Sequence, residues 1–479
     1  MSVEVFKYAL VLSYVVAIYW LSWVGMRRTK SVSSFSIGNK DMHPVLIGIT
    51  LAASISSTAT FVINPGFVYV HGFAAFLHFG VAGSLGIMVA FLVLTRGFLR
   101  HGEAHQALTI PQWIYYRYNH RGFSLFFAFL NLLSITFVVL ILVGCSLLVT
   151  GLFDIEQKTA LILVLLFVFS YVLMGGTYAH AYTNTIQGVM MILVSVFLVL
   201  GGFHYFDGGF SHSLESIGAS YAAAFNPDSS LYYDLFSVFI SGFVVTFALM
   251  MQPHILTKVL YLRSERDIGV FIATTVGVGA VFMLMLLIGF YARLEGLDID
   301  AQDTVVREYL IHTYSGSLFG ELVLTFIFIT LLAAGMSTLD GILVSLSAMV
   351  VNDIAGPVFK IRGDGLSLSR WVLIGVGAVG LLLAWNPPPI IGLFAQKGVY
   401  GLAAASVVPV VFGVLVKRHV PLWVVFSSAL TGLLVHLILN LFMGVQNPAV
   451  SAAWGIILAF AVGLCGLGLT RGAHKTANM

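Results

Sequence analysis

Long apolar runs, separated by short polar segments, cover almost the whole chain. Runs of about twenty residues have the length that crosses a bilayer, because a helix rises about 1.5 Å per residue and the hydrocarbon core is about 30 Å thick. The predicted spans, numbered one to thirteen, are 5–25, 44–70, 73–97, 121–151, 158–175, 183–203, 234–255, 268–292, 318–351, 370–385, 389–415, 421–442 and 450–470. The pattern predicts an all-α polytopic membrane protein.

Span nine is apolar for most of its length but carries Ser337, Thr338 and Asp340 near its centre. An ionised carboxylate at that depth costs roughly 3 kcal/mol on insertion scales, so it needs a partner. Ser337 and Asp340 share one helix face, a turn apart. Oxygen ligands so placed, with one negative charge, suit a small hard cation. Alternatively, the hydroxyls bond back to helix carbonyls and Asp340 faces a wet crevice.

Span two is the second unusual run, with Ser54, Ser56, Ser57 and Thr58 at its centre and Pro65–Gly66 beyond them. A span this polar can be a broken helix, whose freed carbonyls must find a partner or line a cavity. Alternatively, serine and threonine hydroxyls can link neighbouring membrane helices. The pattern alone leaves both interpretations open.

The composition agrees with a membrane protein and argues against several classes of function. Mean hydropathy is +0.99 and only 9% of residues are charged, against roughly 25% in soluble proteins. Cys145 and Cys465 both lie in apolar spans, so no disulfide framework is indicated. The buried histidines are isolated and Asp340 is the only central acid, so we expect no enzyme activity. We also expect no nucleic-acid partner.

The distribution of basic residues predicts the orientation. With thirteen spans, one set of loops carries all of the 23 Lys and Arg residues except Lys7, Lys158, Arg293, Arg307 and Lys397. Basic loops stay in the cytoplasm, so the N-terminus is predicted outside and the C-terminus inside. In this assignment Lys397 is the only basic residue well within a span, where it can either snorkel outward or serve a function.

Six stretches resemble one family of transporters. They are AASISS at 52–57, PGFVY at 65–69, TIPQWIYYRY at 109–118, GGTYAHAYTNTIQGVMM at 175–191, AAGMSTLDGILVSLSAMVVNDI at 333–354 and WNPPP at 385–389. Together they resemble the sodium:solute symporter family, which includes proline, pantothenate, sugar, sialic acid and monocarboxylate carriers. The TIPQ and WNPPP stretches look closest to the pantothenate and short monocarboxylate carriers.

The resemblance implies a LeuT-like core of two inverted five-helix repeats in a single transporter domain, 1–479. The repeats would be 44–203 and 234–415, preceded by an extra helix at 5–25 and followed by two helices within 421–470. It also implies a multi-pass protein of the cell inner membrane that works in the lipid bilayer, with a monomer as the functional unit.

The family's sodium site, carried over to this chain, implies five oxygen ligands for Na⁺. They are the carbonyls of Ala52, Ile55 and Ala334 and the hydroxyls of Ser337 and Thr338. Some members bind a second sodium through positions that match Asp340 and Asn184; the second is an aspartate in those members. Asparagine at 184 puts that second cation or proton site in doubt, although Asp340 can still supply the charge.

The resemblance also implies a solute site at the broken helix. Its candidate residues are Ser54, Ser57, His78, Thr246, Gln396 and Lys397. Ser54 stands where proline carriers have an aspartate and sugar carriers an asparagine, and Gln396 matches a sugar contact within one residue. Lys397 could pair with a carboxylate, which would make the solute an organic anion. The alternative role for His78 is packing inside the bundle, and the alternative for Lys397 is snorkelling toward the outer surface.

These features predict Na⁺-coupled symport of a small organic solute by alternating access, with a monocarboxylate or pantothenate as the expected solute class. Three alternatives stay open. Asp340 could carry a coupling proton in place of sodium, the solute could be an amino acid or a sugar, and the chain could be a transporter-like sensor.

Overall fold

The computed structural model describes residues 3–29, 42–359 and 365–476, and nearly all of them are helical. Lys30, Lys40, Lys360 and Arg362, which contribute to the predicted orientation, lie outside the described residues. The chain folds into one bundle of apolar helices, as the hydropathy pattern predicts.

Eleven helices in the described part of the chain are long and apolar enough to cross a membrane. They are Glu4–Arg28, Phe73–His105, Arg121–Phe153, Gln157–Met174, Tyr178–Gly201, Glu265–Leu294, Leu318–Ala355, Gly365–Ala384, Ile391–Leu415, Leu422–Phe442 and Pro448–Thr470. Shorter helices between them include Ile110–Tyr118, Phe203–Phe206, Phe210–Glu215, Ala219–Ala222 and Val305–Tyr314.

Two further spans are broken helices. Pro44–Ile55 is followed by Ala59–His71 at an angle of 53°, and Phe236–Leu249 is followed by Pro253–Tyr261 at 65°. Counting each bent pair as one span gives thirteen, which agrees with the predicted architecture. These are spans two and seven, the first members of the two predicted repeats.

Local chemistry explains both breaks. In span two, Ser56 leaves the helical region at φ −91° and ψ 78°, and the Ser57 hydroxyl accepts the N–H of Ala59, which starts the second half. In span seven, Gln252 is extended immediately before Pro253, because the proline ring disfavours helical geometry in the preceding residue. Neither position can continue a regular helix.

Span nine lies at the centre of the bundle. Its helix runs without interruption from Leu318 to Met349, and the Ser317 hydroxyl caps its start by accepting the N–H of Gly320. In its most apolar window 78% of the residues are buried inside the protein, whereas the corresponding figure for the N-terminal helix is 17%. The polar residues in the middle of span nine are therefore surrounded by protein.

Gly335 allows span nine to approach spans two and four closely. A Cβ atom at this position would lie 2.3 Å from Cys145 Sγ and 2.6 Å from Thr58 Cγ2, which is inside van der Waals contact. Only glycine leaves room for that approach. The glycine in the Ala-Ala-Gly-Met-Ser-Thr stretch thus brings the Ser337 region against the break in span two.

Candidate functional site

The break in span two and the middle of span nine meet at two hydroxyl groups. Ser337 Oγ donates to the carbonyl of Ala53 (3.0 Å), and Thr338 Oγ donates to the carbonyl of Ser54 (3.0 Å). The Ala334 carbonyl lies 2.8 Å from Ser337 Oγ and 3.5 Å from Thr338 Oγ. The residues of span two and span nine are 280 or more positions apart in the sequence, so it is the fold that brings these oxygen atoms together.

This group of atoms has the chemistry that a small monovalent cation needs. Its residues are at most 1% exposed, and the oxygens come from carbonyls and hydroxyls without charge of their own. A hydroxyl that donates to a carbonyl can rotate and present a lone pair instead. The carbonyls in contact are Ala53 and Ser54, while the Ala52 carbonyl accepts the N–H of Ser56 (2.9 Å). The full predicted ligand set, which includes Ala52 and Ile55, stays a prediction.

Asp340 is completely buried and has two partners within the protein. Its Oδ1 accepts from His180 Nδ1 (2.6 Å) and its Oδ2 accepts from the Tyr171 hydroxyl (3.2 Å). Gly341 makes room for the histidine, because a Cβ there would lie 2.9 Å from His180 Cε1. Tyr171 belongs to the helix Gln157–Met174 and His180 to Tyr178–Gly201, so two successive spans reach Asp340 where they adjoin.

Asn184 links Asp340 to the sodium candidate. Its Nδ2 lies 3.1 Å from Ser54 Oγ, 3.2 Å from the Ser337 carbonyl and 3.4 Å from His180 Nε2. Its Oδ1 is buried without a hydrogen-bond partner in the described part of the chain. The structure therefore brings Asp340 and Asn184 into one polar cluster with Ser337. His180 was not among the predicted residues; its only sequence signal was its position one helical turn before Asn184.

Lys258 is a second residue that the sequence did not single out. The span count assigns it to a cytoplasmic loop, and that assignment is wrong: the side chain is 1% exposed, and Nζ donates to the Thr50 carbonyl (2.9 Å) and to Ser54 Oγ. Lys258, rather than the exposed Lys397, is thus the buried lysine beside span two. The cause is the 65° bend, after which Pro253–Tyr261 turns toward span two. The Gln-Pro pair at 252–253 was the available signal.

A central cavity of about 830 Å³, including its opening, lies between the two broken spans. Three of the predicted solute residues, Ser54, Thr246 and Gln396, line it. Its other polar lining residues are Thr60, Asn64, Gln252, His254 and Tyr400. None of the described lining residues is an Asp, Glu, Lys or Arg.

The other three predicted solute residues do not line this cavity. Ser57 Oγ accepts the Ala59 N–H, and His78 Nδ1 lies against the carbonyls of Ser237 (3.1 Å) and Val238 (3.0 Å). The Lys397 side chain is exposed, and the carbonyl of Lys397 accepts from His436 Nε2 (2.9 Å). His78 thus contacts span seven in this conformation, and its place in the solute site stays a prediction.

A second, narrower cavity of about 440 Å³ including its opening, called here the histidine cavity, adjoins the central one. Its polar lining includes His180, His254, Lys258 and Thr109. His254 lines both cavities, and its Nδ1 is buried without a partner among the described residues. The two cavities therefore meet at His254, which forms the wall between them.

The family model described as "Sodium:solute symporter family" matches residues 35–435. The chain belongs to the sodium:solute symporter family. As a member it is a multi-pass membrane transporter of a small solute, with Na⁺ as its coupling ion. The resemblance stated from the sequence motifs is confirmed.

The chain aligns over most of its length with several known transporters. The sodium/pantothenate symporter of Escherichia coli (strain K12) is 24% identical over 476 residues, which cover 94% of each chain. That of Haemophilus influenzae is 25% identical over 409 residues, which cover 81% of each chain. The high-affinity proline transporter PutP of Bacillus subtilis (strain 168) is 24% identical over 438 residues and 87% of each chain.

Solved structures confirm the fold. A Na⁺-coupled sialic acid symporter in a substrate-bound outward-open state has a TM-score of 0.78 at 17% identity, covering 97% of each chain. MHP1, a nucleobase-cation-symport-1 family transporter in a closed conformation, has a TM-score of 0.58 at 14% identity, covering 92% of this chain and 95% of its own. The chain thus has the fold of Na⁺ symporters with a LeuT-like core.

Proposed function

We propose that this protein moves a small organic anion, of the pantothenate or monocarboxylate class, into the cell together with Na⁺ by alternating access. The observation that carries the proposal is the contact of Ser337 and Thr338 with the carbonyls of Ala53 and Ser54. That contact joins the broken first span of one predicted repeat to a long helix of the other. The repeats are 44–203 and 234–415, and the breaks in spans two and seven support this division.

Sodium couples to the solute through the shared conformation of these helices. Na⁺ held by the carbonyls of Ala52, Ile55 and Ala334 and the hydroxyls of Ser337 and Thr338 stabilises one arrangement of spans two and nine. The same arrangement shapes the central cavity, because Ser54 lines that cavity and its carbonyl contacts Thr338. Binding of the ion and of the solute therefore favour each other, and the coupling is reciprocal.

The chemistry of the central cavity supports an anionic solute. Its described lining offers hydroxyls, amides and an imidazole but no carboxylate, so an anion meets no repulsion there. The buried ammonium of Lys258 touches Ser54 and favours a negative charge nearby. Among the described residues, the lining also holds no carboxylate that could pair with a solute ammonium. Two sodium/pantothenate symporters among the relatives point to the same class.

The two cavities suggest the route of the solute. Under the predicted orientation, Asn64 and Gly392 lie in the outer halves of their spans, so the central cavity that they line faces the outside. Thr109 lies in a cytoplasmic loop, so the histidine cavity that it lines faces the cytoplasm. His254, which lines both, forms the wall that separates them. We infer that rearrangement of the broken spans opens this wall once ion and solute are bound, and that low cytoplasmic sodium then favours release.

Asp340 and Asn184 are the proposed second cation site. The unpaired Oδ1 of Asn184 and the carboxylate of Asp340 are buried in one cluster, and both can offer oxygen to a cation. The competing possibility is that Asp340 carries a coupling proton. Uptake in sodium-free medium across a pH range separates the two, because undiminished, pH-dependent uptake would favour protons.

We further infer that the protein lies in the cell inner membrane and works as a monomer in contact with lipid. Large apolar side chains on the surface, among them Trp20, Leu92, Trp371 and Phe442, suit a hydrocarbon environment. The N-terminus is proposed to lie outside and the C-terminus in the cytoplasm, and the protein is proposed to have no enzyme activity.

Uptake by purified protein in liposomes tests the proposal. An inward Na⁺ gradient is expected to drive accumulation of radiolabelled pantothenate or a short monocarboxylate, and K⁺ in place of Na⁺ is expected to abolish it. Proline and glucose serve as the comparison solutes. Accumulation of proline or glucose in preference to every organic acid would contradict the proposed solute class.

Two neighbouring variants refine this test. Gln396→Ala is expected to raise KM on the order of fivefold, because it removes one hydrogen bond worth about 1 kcal/mol at the cavity wall. Lys397→Gln is expected to keep the KM, because the Lys397 side chain is exposed and does not line the cavity. A raised KM for Lys397→Gln alone would return Lys397 to the solute site.

A further inference from the structure

The ammonium of Lys258 is buried without a carboxylate beside it. Its side chain is 1% exposed, and its two hydrogen-bond acceptors, the Thr50 carbonyl and Ser54 Oγ, are uncharged. Among the ion pairs that join described residues, none includes Lys258. A buried charge of this kind is costly, so it is retained where it has a function.

Ser54 connects Lys258 to Thr338, one of the proposed sodium ligands. Ser54 accepts the Lys258 ammonium at its side chain and the Thr338 hydroxyl at its carbonyl. In addition, the carbonyls at the break already have donors: Ala53 has Ser337 Oγ, and Ala52 has the N–H of Ser56. In this conformation the Ala52 and Ala53 carbonyls thus accept amide and hydroxyl protons, while the ammonium bonds the neighbouring Thr50 carbonyl and Ser54 Oγ.

The charges of the surrounding cluster balance without sodium. Asp340 is connected to Ser54 through His180 and Asn184 by contacts of 2.6, 3.4 and 3.1 Å. When both groups are ionised, the charges of Asp340 and Lys258 sum to zero. A sodium ion held by Ser337 and Thr338 would leave a net charge of +1 in a buried volume, separated from the ammonium by the single residue Ser54. Like charges that close, away from bulk water, repel strongly.

We propose that Lys258 is a tethered cation that competes with Na⁺ at the break in span two. Its ammonium holds the ion-free arrangement by bonding Thr50 and Ser54, and sodium binding requires it to move away from them. Lys258 therefore keeps sodium affinity low, which favours release of the ion on the cytoplasmic side. Lys258 also lines the histidine cavity, so its ammonium borders that cavity as well as the break in span two. This inference rests on the proposed sodium site.

Sodium binding to purified full-length variants tests this inference. Lys258→Met removes the charge and keeps most of the side-chain volume, while Lys258→Gln keeps a hydrogen-bond donor without charge. The readout is the Na⁺ concentration that gives half of the maximal rise in melting temperature, at constant ionic strength with choline. We expect both variants to bind Na⁺ on the order of tenfold more tightly than the wild type, because one repulsive unit charge is gone.

Three controls make the result specific. Lys258→Arg keeps the charge and is expected to retain weak Na⁺ binding. Lys417→Met removes an exposed lysine and is expected to match the wild type. Melting curves without Na⁺ establish that each variant is folded. If Lys258→Gln fails to fold, Lys258→Met alone carries the comparison.

The outcomes separate this inference from the proposed function. If the wild type responds to Na⁺ and both neutral variants have the same or a higher midpoint, Lys258 is no competitor, whereas the sodium site stands. If neither the wild type nor any Lys258 variant responds to Na⁺, the proposed sodium site is wrong, and this inference is overturned with it.

Discussion

Ser337 makes two contacts that assign it a double role. Its hydroxyl lies 2.8 Å from the Ala334 carbonyl of its own helix and 3.0 Å from the Ala53 carbonyl at the break in span two. Back-bonding within a membrane helix is common and needs no function. The second contact is what distinguishes Ser337, because it joins two predicted repeats through one hydroxyl.

Ser337→Ala tests that role. We expect the variant to lose most of the Na⁺-dependent rise in melting temperature, because one of few uncharged ligands is gone, and to lose about 1 kcal/mol of stability with the hydrogen bond. Ser347→Ala is the matched control: Ser347 is equally buried in the same helix, but among the described residues its hydroxyl bonds only the Val344 carbonyl (2.9 Å) of its own helix. An equal loss of the sodium response in both variants would speak against a ligand role for Ser337.

At the scale of elements, the site depends on how closely span nine packs against span two. Gly335 permits that approach, and the breaks at Ser56 and Gln252 turn the halves of spans two and seven toward the centre. A continuous helix would have no free carbonyls to offer. The site therefore forms only where the interrupted helices pack against span nine.

Gly335→Ala is expected to push spans two, four and nine apart. The new methyl group would lie 2.3 Å from Cys145 Sγ, and overpacking of this kind costs about 1–3 kcal/mol, which we expect as a lower melting temperature together with weaker Na⁺ binding. Gly375→Ala, on the exposed face of span ten, has no atom within 4 Å and should leave both unchanged.

Adding Cys145→Ala to Gly335→Ala makes this test stricter. The second change removes the nearest obstructing atom, so the double variant should recover part of the lost stability and Na⁺ binding. A double variant no better than Gly335→Ala would mean that the loss has another cause than this contact.

At the scale of the whole molecule, broken helices and cavities on both sides of one wall are what alternating access requires. The predicted orientation decides which cavity faces the cytoplasm. A fluorescent protein fused after Met479 is expected to be fluorescent, and alkaline phosphatase fused there is expected to be inactive, because the C-terminus is predicted inside. Active phosphatase at that position would reverse the assigned direction of both cavities.

Hydropathy determined the class of fold, because lipid imposes a length and an apolar composition that are legible in a single run of residues. The break in span two and the polar centre of span nine were also legible, since clustered hydroxyls and a mid-span carboxylate are conspicuous in an apolar sequence. Their pairing followed from the family resemblance, and the structure brings them to within hydrogen-bond distance.

Only the tertiary structure decided which residues these buried and exposed side chains contact. Lys258 looked like one more basic loop residue, His180 like an isolated imidazole, and Lys397 like the cation of the solute site. The bend in span seven buries Lys258 beside Ser54, the packing of His180 against Gly341 directs it to Asp340, and the exposed position of Lys397 keeps it out of the central cavity. Local sequence encodes whether a side chain is polar and how long its helix is. Which buried charge it meets depends on distances between segments hundreds of residues apart, and these exist only once the helices have packed.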